Sequence, residues 1–251
     1  MLIIEERNTE NREAFFNCID VLSGKIIFRS FQFEEKFWIG IEAVYNGIIY
    51  FNKYLKPDMP QHKGILAFKI NTQEILWELP DHVFMFINDN RIYAFIQQFE
   101  SRIFFSIDCI TGELQEENSL DSISINELKN NSIDNQLSGQ YKFPVRFFSE
   151  YEEDESVKNL LNEYKSNNVT AGYIEYIKHD RLLLMNSFEP DDTGTFSNIF
   201  KTVEIESGKV IFKEVLTTNC RSYVPDSFFM QNNLIFLLRN KDVLLVCSVK
   251  K

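Results

Sequence analysis

Ile19-Asp20-Val21-Leu22-Ser23-Gly24-Lys25-Ile26 is the stretch that decides the fold, because its pattern returns along the chain. An apolar segment is followed by a turn that contains Ser-Gly or a similar pair, and then by a second apolar segment. The other copies are Phe68-Lys69-Ile70-Asn71-Thr72-Gln73-Glu74-Ile75, Ile107-Asp108-Cys109-Ile110-Thr111-Gly112-Glu113-Leu114 and Val203-Glu204-Ile205-Glu206-Ser207-Gly208-Lys209-Val210. Each copy predicts two strands joined by a tight turn. A regular array of such hairpins predicts a β-propeller, which is a scaffold shared by many functions.

The spacing of the turns supports this prediction. Positions 24, 73, 112 and 208 are separated by 49, 39 and 96 residues, and the last spacing equals two periods of 48. A second series of two-residue turns alternates with the first, at Asn46-Gly47, Asp89-Asn90, His179-Asp180 and Asn232-Asn233. Asp134-Asn135 falls midway in the long gap of this second series. Such pairs favour type I′ turns, in which both central residues have positive φ. One unit then contains four strands in about 45 to 50 residues, the size of a propeller blade.

The sequence therefore predicts an all-β fold, a single β-propeller over residues 1–251 with about five four-stranded blades. Four or six blades remain open, because residues 117–171 break the pattern. The chain begins and ends partway through a unit, so we expect strands from both termini to share a blade and close the ring. Residues 117–171 are interpreted as a degenerate blade with a polar loop over Glu116–Asn135 and a short helical insertion near 152–165. In that insertion the apolar residues Val157, Leu160, Leu161 and Tyr164 have helical spacing.

Composition limits the classes of partner. The 251 residues are 44% hydrophobic and include 24 Phe, enough for the core of one all-β domain. The net charge of -11 disfavours binding to nucleic acid and to anionic membranes, since both need a basic surface. No apolar run approaches the length of a membrane span. The segment Met1–Arg7 lacks the pattern of a signal peptide, which predicts a cytoplasmic protein if Met1 is the native start.

Cofactors and metals are not expected from the sequence. The four cysteines are far apart and form no CxxC pair, so we expect free thiols, three of them in or beside strands. The three histidines show neither HxxxH nor HxH spacing. GxSxG, P-loop and dinucleotide-binding motifs are absent from the sequence. Asp191-Asp192-Thr193-Gly194-Thr195 imitates the phosphorylation loop of P-type ATPases, but its place in a hairpin predicts a turn.

The repeats carry a family resemblance. The form apolar-Asp-x-x-Ser/Thr-Gly-x-apolar-x-aromatic resembles the repeats of quinoprotein-type (PQQ-like) β-propellers. It is fullest at Ile19–Phe28 and Val203–Phe212, whereas Phe68–Trp77 lacks the Gly and Ile107–Glu116 lacks the aromatic residue. The resemblance implies the blade, with Trp77 as a packing residue. It does not imply the cofactor, because cofactor-binding quinoproteins are much larger, carry acidic calcium ligands and often a vicinal cysteine pair. The whole chain also resembles bacterial single-propeller proteins of unknown function.

Candidate binding residues follow from the predicted topology. The short turns all fall on one face of the propeller, so the longer loops gather on the other, called here the long-loop face. Loops on a rigid scaffold are where binding residues concentrate. The candidates on this face are Trp38, Tyr54, His62, His82, Arg146, Glu189, Asp191, Asp192, Arg221 and Tyr223.

Three functional hypotheses remain open. The leading one is a non-catalytic binding or scaffold protein that holds a protein or peptide through the long-loop face, since Trp, Tyr and Arg anchor interfaces. The alternative is a glycosidase-like hydrolase with an axial pair of carboxylates. Its candidate carboxylates are Glu34, Glu35, Glu42, Asp58, Asp81, Glu189, Asp191 and Asp192. The third is a sensor of a small ligand, and an oxygen-lined Ca²⁺ site at Glu189, Asp191 and Asp192 is a further possibility.

Overall fold

The computed structural model describes residues 1–55, 61–116, 121–137, 141–166, 171–191 and 194–249. These residues form antiparallel strands and two helices, which confirms the mostly β class. The chain divides into two compact units, unit 1 (residues 1–136) and unit 2 (residues 137–251). The prediction of one domain over the whole chain stays a prediction.

Unit 1 contains three sheets whose strands follow the order of the chain. They are β1 (Leu2–Asn8), β2 (Glu13–Ile19) and β3 (Ile26–Phe31); β4 (Ile39–Tyr45), β5 (Ile48–Tyr54), β6 (His62–Lys69) and β7 (Glu74–Leu79); and β8 (Val83–Asn88), β9 (Arg91–Gln97), β10 (Arg102–Asp108) and β11 (Leu114–Glu116). Helix α1 (Ser122–Leu137) ends at the boundary between the units.

Unit 2 contains two sheets and a helix. Its elements are β12 (Tyr141–Lys142), β13 (Val145–Arg146), α2 (Glu155–Ser166), β14 (Ala171–His179), β15 (Leu182–Pro190), β16 (Phe196–Glu204), β17 (Val210–Cys220), β18 (Phe228–Gln231), β19 (Leu234–Arg239) and β20 (Val243–Ser248). One sheet has the order β13-β14-β15-β16-β17 and the other β12-β18-β19-β20.

The repeated turn has a local physical cause. Asp20 Oδ1 accepts hydrogen bonds from the backbone N–H of Ser23 at 2.8 Å and from its hydroxyl at 2.7 Å. Asp108 Oδ1 accepts the backbone N–H of Thr111 in the same way, at 2.8 Å. These bonds favour the ionised carboxylates and lower the pKa of both Asp20 and Asp108. The turn thus satisfies its own backbone donors, which is why Asp opens two copies of the motif.

The glycine of the motif is required by the backbone. Gly24, Gly112 and Gly208 have φ values of 69°, 73° and 67°, a left-handed conformation that costs residues with a Cβ. In the copy without glycine, Gln73 takes the same conformation at φ 57°. The second series of turns behaves as predicted at two sites, since Asn46-Gly47 and Asp89-Asn90 have positive φ at both central residues.

Aromatic and aliphatic side chains of neighbouring sheets form the core of unit 1. Phe16, Phe51 and Phe68 are buried, and the rings of Phe16 and Phe51 meet edge to face at 4.8 Å. Between the second and third sheets, the Tyr50 hydroxyl donates to the Cys109 carbonyl at 3.0 Å. The Trp77 indole N–H donates to the same carbonyl at 3.3 Å, so its predicted packing role is confirmed. All four cysteines are free thiols, as expected.

The region of the degenerate blade differs in part from the prediction. Helix α2 confirms the helical insertion, with Val157, Leu160 and Leu161 buried. The loop predicted over Glu116–Asn135 is wrong, because α1 occupies most of it, including Asp134-Asn135. The apolar residues of α1 do not repeat with helical spacing, which hid the helix from the sequence. It is held by the Asp121 carboxylate, which accepts the Ser124 N–H at 2.8 Å, and by Ile125, buried against Phe86 and Phe104.

The expected closure of the ring is also corrected. Among the described residues, no sheet joins strands from the two termini. The N-terminal strands β1, β2 and β3 form a sheet of their own, and the C-terminal strands pair instead with β12. Tyr141–Lys142, a segment of the irregular region, pairs with β18 at the edge of the sheet where a strand from the N-terminus was expected.

Candidate functional site

Three of the predicted binding residues meet in unit 1, in what we call the Trp38 cluster: Phe37, Trp38, Tyr54, His62 and Glu42. Tyr54 and His62 face each other because they pair across β5 and β6, and their rings meet edge to face at 5.2 Å. Trp38 precedes β4, and its ring meets Tyr54 at 5.6 Å and Phe37 at 5.0 Å. Four rings therefore form one continuous row of edge contacts.

Charged groups fix both ends of this row. At one end, His62 Nδ1 lies 2.5 Å from Glu42 Oε1. At the other, Arg7 donates to the Phe37 carbonyl at 2.8 Å, and its guanidinium lies 5.3 Å from the Phe37 ring centroid. The Glu35 carboxylate accepts the Trp38 N–H at 2.9 Å and thereby holds the loop before β4. The rings are half-buried, so the row is a preformed surface that presents aromatic edges.

A cavity of about 480 Å³ lies beside the Trp38 cluster, and Leu55 and Gln61, the neighbours of Tyr54 and His62 in the chain, line it. Among the described residues, its lining consists of Leu55, Gln61, Lys63, Asp81, Val83, Ile96 and Gln97. Lys63 and Asp81 form an ion pair at 2.9 Å, and this contact lowers the pKa of Asp81. The cavity thus combines apolar walls with a charged pair.

His82 is not a surface residue, in contrast to its place among the predicted binding residues. It is buried, and its ring meets Phe105 edge to face at 4.8 Å. Neither ring nitrogen has a hydrogen-bond partner among the described residues. Burial disfavours the charged imidazolium and lowers the pKa of His82, which the nearby Asp81 opposes.

This burial predicts a pH dependence of stability. The unfolded chain protonates His82 near its ordinary pKa of about 6.5, whereas the folded chain does so only at lower pH. The contribution of neutral His82 to the free energy of unfolding is therefore fully present above about pH 7. It falls as the pH drops below that value, by at most about 1.4 kcal/mol per pH unit. Urea unfolding of His82→Leu and of the wild type between pH 7.5 and 5.5 measures the difference. Equal slopes in the two proteins would contradict the prediction.

In unit 2, Tyr223 lies in a second aromatic group, the Tyr223 cluster: Tyr173, Phe188, Phe196 and Tyr223. The ring centroid of Tyr223 lies 4.9 Å from that of Phe188 and 5.4 Å from that of Tyr173. Arg146 belongs to the same group, because its guanidinium stacks 3.8 Å from the Tyr173 ring centroid. Gly172 permits this arrangement: a Cβ there would come within 2.4 Å of the Tyr223 ring.

The acidic candidates of unit 2 have local partners. Glu189 Oε1 pairs with the buried ammonium of Lys201 at 2.6 Å. Asp191 opens the β15–β16 turn, where Oδ1 accepts the Thr195 N–H at 3.0 Å, so the predicted turn is confirmed. Asp192 and, in unit 1, Asp58 lie outside the described residues. Arg221 is exposed just after β17.

A row of buried polar residues in unit 2 was missed by the sequence reading. Glu175, Asn186 and Asn198 lie on the three adjacent strands β14, β15 and β16, and all three are at least nine-tenths buried. Burial, reinforced by the negative charge of Asp226 and opposed by Arg146, raises the pKa of Glu175. The sequence held no distinctive signal, because these strands carry other polar residues as well, such as Lys178 and Lys201. Burial is what makes the three residues costly unless they have partners.

The described residues contain no group of three or more His, Cys, Asp or Glu side chains that could hold a metal ion. Within the same residues, no helix is long and apolar enough to cross a membrane.

Comparisons with known proteins add a family match over part of the chain. Residues 1–77 match a family described as a domain of unknown function, DUF4905. No curated protein matches the chain. Among solved structures, the chain is similar to a europium-containing methanol dehydrogenase, with 13% identity over 98% of this chain and 49% of that one, at a TM-score of 0.28. It is also similar to the acylaminoacyl peptidase of Pyrococcus horikoshii, with 9% identity over 85% of this chain and 32% of that one, at a TM-score of 0.25. The chain thus spans about half of the first relative's length and about a third of the second's.

Proposed function

We propose that this protein is a non-catalytic binding module that holds a protein or peptide partner at the Trp38 cluster of unit 1. The observation that supports this is the row of four half-buried rings next to a cavity of about 480 Å³. Rigid aromatic side chains offer a large contact area at a low cost in conformational entropy, and they anchor interfaces for that reason.

The negative charge of the protein favours a positively charged partner. The Glu42 carboxylate stands at one end of the row, and the whole chain carries a net charge of -11. The net negative charge therefore attracts a basic peptide over a long range. Two cations near the row, Arg7 and Lys63, are each paired with a carboxylate, Glu5 and Asp81, which reduces their repulsion. The apolar walls of Leu55, Val83 and Ile96 suit an aliphatic or aromatic side chain next to the basic residue.

The scaffold belongs to the same proposal. The five sheets act as the blades of one β-propeller, which is supported by their antiparallel order and by the repeated turns. Small-angle scattering tests this part separately, because one compact domain of this length has a radius of gyration of about 18 Å. A much larger value would contradict a single propeller.

Selection from a random peptide library on the immobilised protein tests the binding role. We expect peptides that combine Lys or Arg with an apolar residue, and a loss of affinity of at least about tenfold in Trp38→Ala and Tyr54→Ala. Phe99→Ala is the matched control, since Phe99 is an exposed aromatic residue of unit 1 outside the cluster. Thermal unfolding of each variant checks that it is folded. Selected peptides that bind Trp38→Ala and Tyr54→Ala as tightly as the wild type would overturn the proposal.

A further inference from the structure

We propose that unit 2 contains a binding site for the ammonium group of a small organic amine, formed by Glu175, Asn186 and Asn198. This site is separate from the Trp38 cluster and does not depend on the function proposed for unit 1.

Strand register brings the three side chains to one face of the five-stranded sheet. Glu175 of β14 pairs directly with Asn186 of β15, so both point to the same side. Asn198 of β16 pairs with Phe188, which is two residues beyond Asn186 and therefore also points to that side. The three polar groups form a diagonal row across three strands.

The row is buried and only partly satisfied. Glu175 is 7% exposed, Asn186 0% and Asn198 1%. Glu175 Oε2, both amide atoms of Asn186 and Asn198 Oδ1 have no close hydrogen-bond partner among the described residues, although the Asn186 amide lies near enough to Glu175 to oppose the rise of its pKa. The Asn198 amide is oriented by its Nδ2, which donates to the Ser227 hydroxyl at 2.8 Å. Leaving such groups unpaired costs about 1 to 3 kcal/mol each, so a ligand that pairs them gains that energy.

The unpaired atoms select an ammonium group. Three of the four are oxygen acceptors, one on each residue of the row, and a primary ammonium has three N–H donors and no acceptor. A hydroxyl has a single donor and would leave oxygens unpaired. Ca²⁺ takes six to eight oxygen ligands, more than this row supplies.

The surroundings favour a cation with an apolar body. Phe188 and Tyr223 pack against each other beside the row, and aromatic faces attract cations. Asp226 adds a negative charge near Glu175. Arg146, which pairs with Glu175 across β13 and β14 and stacks on the Tyr173 ring, adds a positive one, so the group keeps a net negative charge once Glu175 is ionised. Tyr223 is 38% exposed, so the aromatic side of the group reaches the surface.

Titration calorimetry with n-butylammonium chloride tests the site. We expect binding by the wild type in the millimolar range and at least a tenfold loss in Glu175→Gln and Asn186→Leu. Ser187→Ala is the matched control, because Ser187 is equally buried with an unpartnered hydroxyl but points to the other face of β15. The pH dependence gives a second test. Since an ammonium pairs with the ionised carboxylate, the affinity for n-butylammonium should rise with pH as Glu175 ionises. Both site variants should also remain folded, because Glu175→Gln keeps the shape of the side chain and removes its charge, and Asn186→Leu replaces an unpaired buried amide with an apolar group of similar size.

Neutral and inorganic probes define the results that would overturn the proposal. Binding of n-butanol or KCl as tight as that of n-butylammonium would overturn the ammonium assignment, as would unchanged affinity in both site variants or no binding by the wild type. Nα-acetyl-lysine amide distinguishes the source: equal affinity points to a lysine side chain, and a loss points to a free amine. Trp38→Ala should leave amine binding unchanged, which separates this result from the test of unit 1.

Discussion

Glu189→Ala is expected to lower the free energy of unfolding by about 3 to 5 kcal/mol. Lys201 is only 4% exposed, and its ammonium pairs with Glu189 Oε1 at 2.6 Å. Removing the carboxylate leaves a buried positive charge without its partner. Lys213, the second cation at Glu189, is exposed and lies farther away at 3.4 Å, so it cannot account for an effect of this size.

Urea unfolding of a double-mutant series measures this effect. Glu189→Ala combined with Lys201→Met should recover most of the lost stability, since no buried charge remains. Lys213→Ala should change stability by less than about 1 kcal/mol. A small loss in Glu189→Ala with Lys201 intact would contradict the structural role and return Glu189 to the ligand-binding candidates.

Gly112→Ala is expected to destabilise unit 1 by roughly 1 to 3 kcal/mol more than Gly24→Ala does. Both glycines occupy the same position of the repeated turn, with φ values of 73° and 69°, so both variants share a backbone cost of about 1 to 2 kcal/mol. A Cβ at Gly24 meets nothing within 4 Å, whereas one at Gly112 lies 2.6 Å from Trp77 Cγ. The difference between the variants isolates the contact with the indole.

Chemical unfolding gives the two stabilities. The change of tryptophan emission relative to the wild type gives an independent signal for Trp77, since Trp38, the other tryptophan, lies outside the contact. We expect the emission of folded Gly112→Ala to shift, because the ring must move from the Cys109 carbonyl that it now contacts. Gly24→Ala should leave the emission unchanged. Equal losses of stability in both variants would contradict the prediction, because they would show that the Trp77 ring moves away without lowering the free energy of unfolding.

The strands could be predicted because their turns are encoded locally. Asp20 and Asp108 bind the backbone of their own turns, and glycine or Asn-Gly supplies positive φ within the same few residues. Helix α1 could not be predicted in this way. Its decisive contact is made by Ile125 with Phe86 and Phe104, residues of β8 and β10, which no local pattern reports.

The candidate sites were predictable to different degrees. Trp38, Tyr54 and His62 were found from residue type and loop position, and strand pairing then explains why Tyr54 meets His62. Glu175 and Asn186 were missed because β14 and β15 contain several polar residues, and nothing in the sequence shows which of them are buried. Only the register of β14 against β15 places them side by side, and register depends on pairing rather than on composition.

The pairing of β12 with β18 has a consequence for synthesis on the ribosome. The remaining described strands pair with strands that precede or follow them directly in the chain. Tyr141 of β12 and Gln231 of β18 pair although they are 90 residues apart. At about 5 to 20 residues per second, β12 emerges roughly 5 to 20 s before its partner exists. During that interval β12 has no strand to pair with. The C-terminal sheet should therefore be the last to protect its backbone amides from hydrogen exchange, and its incomplete form is where we expect chaperones to bind first.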